Sequence, residues 1–329
     1  MKPKIVVTDY EFPDLAPEIA VVEAAGFELT PRQCRSEAEL IEACRDADAV
    51  INQYAQITGR VVDALERCRV ISRYGIGLNT IDVEAATRRG IFIGNVPDGS
   101  LEEVSDHAIA MIMGLARGLR LHDAAIRSGR WDYTVVKPLY RLRGRTLGLL
   151  SFGAIPQRVA RKMSGFGLRI IACDPYADAE KARAAGVEMV DKATLLREAD
   201  ILSVHVPLTP ETHHAIGRAE LAAMKPTALL VNTARGPVID EAALIEALSA
   251  GGIAGAGLDV FESEPIGADH ALAAMPNVIL TPHAAWYSED SEVEIRSKTA
   301  QNVVDVLQGR HPTYLANPKV LDIARAKAS

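Results

Sequence analysis

Five polar residues close short apolar runs in the later part of the chain: His205 in SVHVP, Arg235 in VNTARG, Asp259 and Glu264 in LDVFESEP, and His283 in TPHAAW. If these runs are parallel strands, ligands bind beyond their carboxyl ends, where all five residues lie. A cation, a carboxylate and a histidine are what the reduction of a 2-oxo acid requires. An arginine can fork onto the substrate carboxylate and polarise its carbonyl. A histidine can give a proton to the carbonyl oxygen as hydride arrives at carbon, and a carboxylate beside it keeps the ring charged and oriented. Spacing alone leaves rivals standing. A strand-end histidine is often structural, Arg235 can simply face solvent, and Glu262 competes with Glu264 as the acid.

Residues 147–162, LGLLSFGAIPQRVARK, have the outline of a dinucleotide-binding turn between a strand and a helix. Of the three glycines in G-x-G-x-x-G only the middle one, Gly153, is present, with Ser151 and Pro156 at the outer positions. Those glycines serve a tight turn, close approach of a pyrophosphate to backbone, and close helix–strand packing. Gly153 meets the second demand, which is the strictest. Ser151 can make the turn if its backbone stays out of the region that only glycine tolerates. Pro156 falls in the first helical turn, where an N–H has no intrahelical partner. The donors expected to face the phosphates, Ala154 and Ile155, survive. The next strand ends in Asp174, 21 residues after Gly153, where an acid binds the ribose hydroxyls of NAD and repels the extra phosphate of NADP. Pro175 and Tyr176 follow it, with no arginine to welcome that phosphate. The competing reading of Asp174 is a turn residue before proline.

Alternating elements must position these residues. KIVVTD, FELT, DAVINQY, VISRYG and IFIGNV alternate with helical patterns over 16–25, 37–46, 59–67 and 82–89. From Arg145 the alternation restarts with TLGLLS, LRIIACD and EMV, then the strand-like runs carrying the five polar residues. Such alternation predicts parallel strands joined by helical crossovers, in two α/β blocks. Between them, Val104, Ala108, Ile112, Leu115 and Leu119 recur at helical spacing, predicting one long helix from Leu101 to about Ser128. Gly114 and Gly118 within it each cost ~1 kcal/mol without a compensating contact. They are either tolerated or form a flat face for another helix.

Several motifs now resemble one family. Arg235–Gly236 after VNTA, Glu264–Pro265 after LDVFES, and TPH at 281–283 look like the signature of the D-isomer-specific 2-hydroxyacid dehydrogenases. RYGIG at 73–77, EEVSDHA at 102–108 and HVPLTPET at 205–212 extend the resemblance over nearly the whole chain. HAAWYSE at 283–289 and the closing helix are similar to the C-terminal binding protein branch. The resemblance implies a catalytic set of Arg235, Glu264 and His283. Arg73 and the backbone around Ile76 and Gly77 would hold the substrate carboxylate, and Trp286 would wall the side-chain pocket and favour extended apolar side chains. NAD would lie on Ser151, Gly153, Ala154, Ile155 and Asp174, with His205, Val206, Pro207, Thr212, Thr233, Ala234 and Asp259 completing its site. The expected fold is α/β with two doubly wound parallel sheets, a Rossmann cofactor domain (100–290) inserted into a flavodoxin-like substrate domain (1–99 and 291–329). The long glycine-bearing helix would form a homodimer interface. The family commonly has arginine where Ala154 stands and an Asp-Asn pair where Asn79 and Thr80 follow RYGIG, so a cation is missing from the pyrophosphate.

Composition sets the outer bounds. The chain has 329 residues, room for two domains, with 48% hydrophobic and 24% charged residues. A net charge of −7 without a basic stripe argues against nucleic acid, and the basic end at Arg325–Ser329 reads as a solvated tail. Four scattered cysteines without C-x-x-C spacing suggest neither zinc nor a disulfide frame and fit a reducing cytoplasm. No signal peptide is expected at the start, and no run approaches the ~20 apolar residues that span a bilayer. The alternative to an enzyme is a nucleotide-sensing, corepressor-like interaction protein, which needs a partner surface and a regulatory tail that the chain does not show after its last helix.

Overall fold

The computed structural model describes residues 2–323, and the basic end at Arg325–Ser329 lies outside them. The chain forms two compact units, one of residues 1–100 and 288–329 and the other of residues 101–287. In the first, β1 (Lys4–Val7), β2 (Glu28–Pro31), β3 (Ala49–Asn52), β4 (Val70–Arg73) and β5 (Phe92–Gly94) form a parallel sheet in the order β2-β1-β3-β4-β5. This is the flavodoxin-like order. The crossovers are α1 (Ala16–Ala24), α2 (Glu37–Cys44), α3 (Gly59–Ala64) and α4 (Val83–Arg88). Ser36, Thr58 and Asp82 start the last three by accepting from the N–H groups of Glu39, Val61 and Ala85.

The second unit opens with α5 (Leu101–Ala116) and α6 (Leu119–Arg127). Its strands are β6 (Thr146–Leu150), β7 (Arg169–Cys173), β8 (Val187–Met189), β9 (Ile201–Val204), β10 (Leu229–Asn232), β11 (Gly255–Leu258) and β12 (Val278–Leu280). They pair in parallel in the order β12-β11-β10-β9-β6-β7-β8. The crossovers are α7 (Ala154–Met163), α8 (Ala179–Ala184), α9 (Lys192–Glu198), α10 (Arg218–Ala223), α11 (Glu241–Ser249) and α12 (Ala271–Ala274). The order reverses between β6 and β9, so the turn at Ser151 and the segment at His205 flank the switch point, where such sheets bind dinucleotides. Helix α13 (Glu289–Leu307) belongs to the first unit and packs along α1. The strands are apolar on both faces, as a sheet covered on both sides demands: every residue of β6, β9 and β11 is buried.

The two sheets match the expected fold class, but the single long helix does not form. It breaks after Ala116, and Gly118 takes φ +59° before α6 begins. The reason is non-local: a Cβ on Gly118 would come within 2.7 Å of Val136. One on Gly114 would meet Ile279 Cδ1 at 3.0 Å, so that glycine lets α5 settle on its own sheet rather than on another helix.

Candidate active site

Strand ends of the second unit bring the expected trio together. His283 Nδ1 lies 2.7 Å from Glu264 Oε2, while the Phe261 N–H donates to Glu264 Oε1 at 2.9 Å. Partial burial alone would raise the Glu264 carboxyl. The hydrogen bond and charge of His283, the Phe261 N–H and the charge of Arg235 outweigh it, and the carboxyl is held below the ordinary glutamate range. Glu262, the rival acid, instead pairs with His214 at 2.6 Å. Of the two glutamates, it is Glu264 whose carboxylate meets His283.

Arg235 is half-buried, and desolvation draws its guanidinium below the usual arginine value against the opposing charge of Glu264. An arginine so shifted still carries its charge at neutral pH. Its position follows from Asn232, whose amide donates to the Arg235 carbonyl at 2.9 Å and accepts from the Ala234 N–H at 3.0 Å. Gly236 comes next, and a Cβ there would sit 1.9 Å from the Phe261 carbonyl. Only glycine lets the Arg235 strand end lie against the segment that carries Glu264.

His283 sits at φ +55°, a conformation rare for a side-chain-bearing residue. Asp259, 1% exposed, holds it there. Its Oδ1 accepts from Thr281 Oγ1 at 2.5 Å and the Ala284 N–H at 2.9 Å, its Oδ2 from the Ala285 N–H at 3.0 Å, and its carbonyl from the His283 N–H at 2.8 Å. His107 of α5 adds a contact to Thr281 Oγ1 at 2.9 Å. Sequence reasoning missed the supporting roles of Asn232, Thr281 and His107; the partners of Thr281 and His107 lie far away along the chain, whereas those of Asn232 are its near neighbours. Trp286 is half-buried and packs edge-on against Tyr287, ring centres 5.7 Å apart.

The two strand-end histidines separate by environment. His205 shares a 2.8 Å hydrogen bond with Ser203 Oγ. The residue is half-buried, and the packing around it desolvates the imidazole and pulls its pKa down to about 3. A ring that stays neutral cannot serve as a proton donor near pH 7.

The turn at Ser151 departs from its expectation. Ser151 does enter the positive-φ region, at +90°. Its hydroxyl offsets part of that strain by reaching Asp174 Oδ2 at 3.2 Å, and Oδ2 also accepts from the Phe152 N–H at 2.9 Å. Asp174 Oδ1 takes the Tyr176 N–H at 2.9 Å. Thus the acid, one residue beyond β7, ties the turn at Ser151 to its own loop. A Cβ on Gly153 would meet nothing nearer than Ser151 Oγ at 3.9 Å, so no protein atom demands glycine there. Gly153 caps α7, and the N–H groups of Ala154 and Ile155 at its first turn have no intrahelical acceptor. At the end of β10, Thr233 Oγ1 is buried without a hydrogen-bond partner among the described residues. An open cradle at Gly153 and an orphaned hydroxyl at Thr233 both fit a bound dinucleotide. Ala234 and Val206 are half-buried beside them and Pro207 is exposed, whereas the Thr212 hydroxyl is used within its loop, donating to the Pro207 carbonyl at 2.5 Å. Among the described residues no group of three or more histidine, cysteine or acidic side chains is placed to hold a metal.

Arg73, Ile76 and Gly77 lie in the first unit, after β4. Arg73 Nε donates to the Gln53 carbonyl at 3.3 Å. The carbonyls of Gly75 and Ile76 accept from the Val96 N–H and the Asn95 amide at 2.9 and 2.8 Å. That leaves the N–H groups of Ile76 and Gly77 without an acceptor among the described residues.

The family model for the D-isomer specific 2-hydroxyacid dehydrogenase, NAD binding domain, matches residues 109–285. A glyoxylate reductase of Korarchaeum cryptofilum is 40% identical over 292 residues, 88% of either chain. A D-3-phosphoglycerate dehydrogenase of Methanocaldococcus jannaschii is 40% identical over 316 residues, 95% of this chain but 59% of that one. Among solved structures, an NADPH-dependent glyoxylate/hydroxypyruvate reductase from Sinorhizobium meliloti, in complex with NADP and malonate, superposes with a TM-score of 0.85 at 31% identity, covering 96% of this chain and 98% of that one.

Proposed function

The chain belongs to the D-isomer-specific 2-hydroxyacid dehydrogenases, and from that premise we propose how its own residues carry the reaction. It is an NAD(P)-dependent oxidoreductase of 2-oxo and 2-hydroxy acids. When bound, the nicotinamide supplies or accepts the hydride. Arg235 anchors the substrate and polarises its carbonyl. His283 gives its proton to the carbonyl oxygen during reduction and takes it back during oxidation, and Glu264 keeps the ring oriented. Arg73 and the N–H groups of Ile76 and Gly77 receive the substrate carboxylate. The 2.7 Å His283–Glu264 pair, beside a half-buried arginine, carries this reading.

The relatives' names make glyoxylate the first substrate to try, followed by hydroxypyruvate and longer 2-oxo acids that probe Trp286 as a pocket wall. The test is loss of NADH absorbance with each acid, in wild type and in His283→Ala. The variant should lose at least ~100-fold in kcat with little change in NADH affinity, the scale of a general acid. An active variant would return His283 to a structural role.

Asp174 supports a preference for NADH over NADPH. Its carboxylate is fixed by three donors and no cation follows in Pro175–Ala177, so a 2′-phosphate would meet an unneutralised charge. Equal kcat/KM with the two coenzymes would sink that assignment. Likeness to the C-terminal binding protein branch rests on His283–Glu289 and the closing helix alone, and none of the relatives named above belongs to it. A catalytic role is therefore preferred to a corepressor one. The four free thiols fit a cytoplasmic enzyme, and no helix among the described residues is long and apolar enough to cross a membrane. A homodimer is retained as part of the proposal, now through the segment after the helix break rather than through a glycine face.

A further inference from the structure

The first unit holds a buried ionic network that the proposed chemistry does not use. Glu18 of α1 is 0% exposed and Arg296 of α13 is 3% exposed. Arg296 grips Glu18 with two parallel bonds, Nε to Oε1 at 2.9 Å and Nη2 to Oε2 at 3.0 Å. Its plane also stacks over the Phe12 ring, 4.5 Å from the centroid. Taking both charges out of water is costly, and an apolar pair of similar volume stabilises a fold as well or better. Stability alone therefore gives little reason for this pair.

A third member explains it. The Tyr74 hydroxyl donates to Glu18 Oε1 at 2.8 Å, and its ring packs edge-on against Phe12 at 5.2 Å, leaving Tyr74 4% exposed. Tyr74 is the second residue of RYGIG, immediately before the turn at Gly75, whose φ is +86°. The Asn95 amide and the Val96 N–H, donating to the carbonyls of Ile76 and Gly75, fix the far side of that turn, and the Tyr74 side chain pins the near side. We propose that Tyr74, Glu18 and Arg296 are positioning residues that hold the Gly75–Gly77 turn with the Ile76 and Gly77 N–H groups presented to the substrate carboxylate. This rests on the reading of that turn as the carboxylate site. A carboxylate receptor made of backbone donors works only if those donors are already aimed, because each degree of freedom frozen on binding subtracts from affinity. The ion pair makes the aim rigid: Arg296 is itself held by Asp14 and Glu292, so Glu18 cannot swing without giving up both of its bonds to a fixed guanidinium.

Three variants test it with full-length enzyme, glyoxylate as substrate and oxamate as a non-reacting carboxylate probe. Tyr74→Phe keeps the ring and removes one hydroxyl. It should raise the KM for glyoxylate and the oxamate inhibition constant by about 3–10-fold, a part of what one hydrogen bond to a charged group can supply, with kcat and NADH affinity near wild type. A fall in melting temperature with both constants unchanged would overturn the proposal. Glu18→Gln alone can misfold by removing the buried charge that faces Arg296, so the second variant replaces both charges, Glu18→Leu with Arg296→Met. It should fold, show the same rise in KM as Tyr74→Phe, and show no further rise when Tyr74→Phe is added. A wild-type KM in the folded double variant would overturn the proposal. Arg73→Gln tests the underlying reading separately. If Arg73→Gln weakens oxamate and Tyr74→Phe does not, the turn binds the carboxylate and the network does not position it. If neither does, the reading of the turn falls and the network proposal falls with it.

Discussion

Gly236 shows how little room one residue can have. Its missing Cβ lets the end of β10 lie against the Phe261 carbonyl, the contact that sets Arg235 beside Glu264. A methyl group 1.9 Å from a carbonyl cannot be accommodated by side-chain movement, so Gly236→Ala must push one backbone away from the other. Overpacking of this kind costs about 1–3 kcal/mol of stability. Misplacing catalytic groups by about 1 Å costs on the order of 100-fold in rate. The expected variant is folded, somewhat less stable, and reduced about 100-fold in kcat/KM, read by denaturant unfolding and by NADH consumption. Wild-type kcat/KM would show that the close approach is unnecessary. The candidate residues that the fold gathers at the strand ends were legible in the sequence because they follow apolar runs, and strand ends are where parallel sheets place ligands. Choosing among them was not. Glu264 and Glu262 are two positions apart and chemically identical, and only the partner of each, His283 or His214, separates them. His205 and His283 likewise differ in partner, Ser203 for one and Glu264 for the other.

At the level of elements, α5 and α7 are clasped by Glu102. Its carboxylate takes hydrogen bonds from Lys162 and Arg158, and these hold its pKa down to about 2 against an ordinary 4.5. A carboxyl depressed on folding adds stability that is fully present above its unfolded value. That stability is lost as pH falls through 4.5 toward 2, because the folded state gives up a charge it had paired. The side chain is 52% exposed, so solvent and salt screen much of the effect. Between pH 5 and pH 3 the melting temperature of Glu102→Gln should therefore fall less steeply than that of the wild type, and the difference should shrink in high salt. Identical slopes would mean that this clasp contributes nothing. The strands and crossovers around it were legible because apolar runs of four or five residues bounded by turns have few other solutions. The break between α5 and α6 was not, since Gly114 and Gly118 scan as interior positions of one amphipathic helix. At the break, Gly118 turns left-handed, and Val136, 18 residues further on, occupies the space a Cβ there would need.

For the molecule as a whole, the segment after that break carries an unusual amount of exposed apolar surface. Leu119 and Ile126 on α6 are 58% and 51% exposed, Trp131 is 92% exposed and Tyr133 71%. An apolar cavity of about 420 Å³ lies beside them at the amino ends of the strands, between Gly118, Val136, Leu139 and the loops at Ala254 and Pro276. This end of the sheet is opposite to the one bearing Arg235, Glu264 and His283, so covering it leaves the chemistry open. Exposed large apolar side chains gathered in one segment mark an association site more often than a solvent-facing one. A second copy fits best within the proposed function, because a two-fold contact uses the same patch on both chains. Large aromatic anchors carry most of the energy in such contacts. The expected outcome is a wild-type dimer at micromolar concentration in analytical ultracentrifugation, and a monomer for Trp131→Ser with Ile126→Asp. That monomer should keep its far-ultraviolet circular dichroism and NADH affinity, since neither altered side chain touches the cofactor turn. A wild-type monomer, or a double variant that stays dimeric, would remove this surface from the proposal.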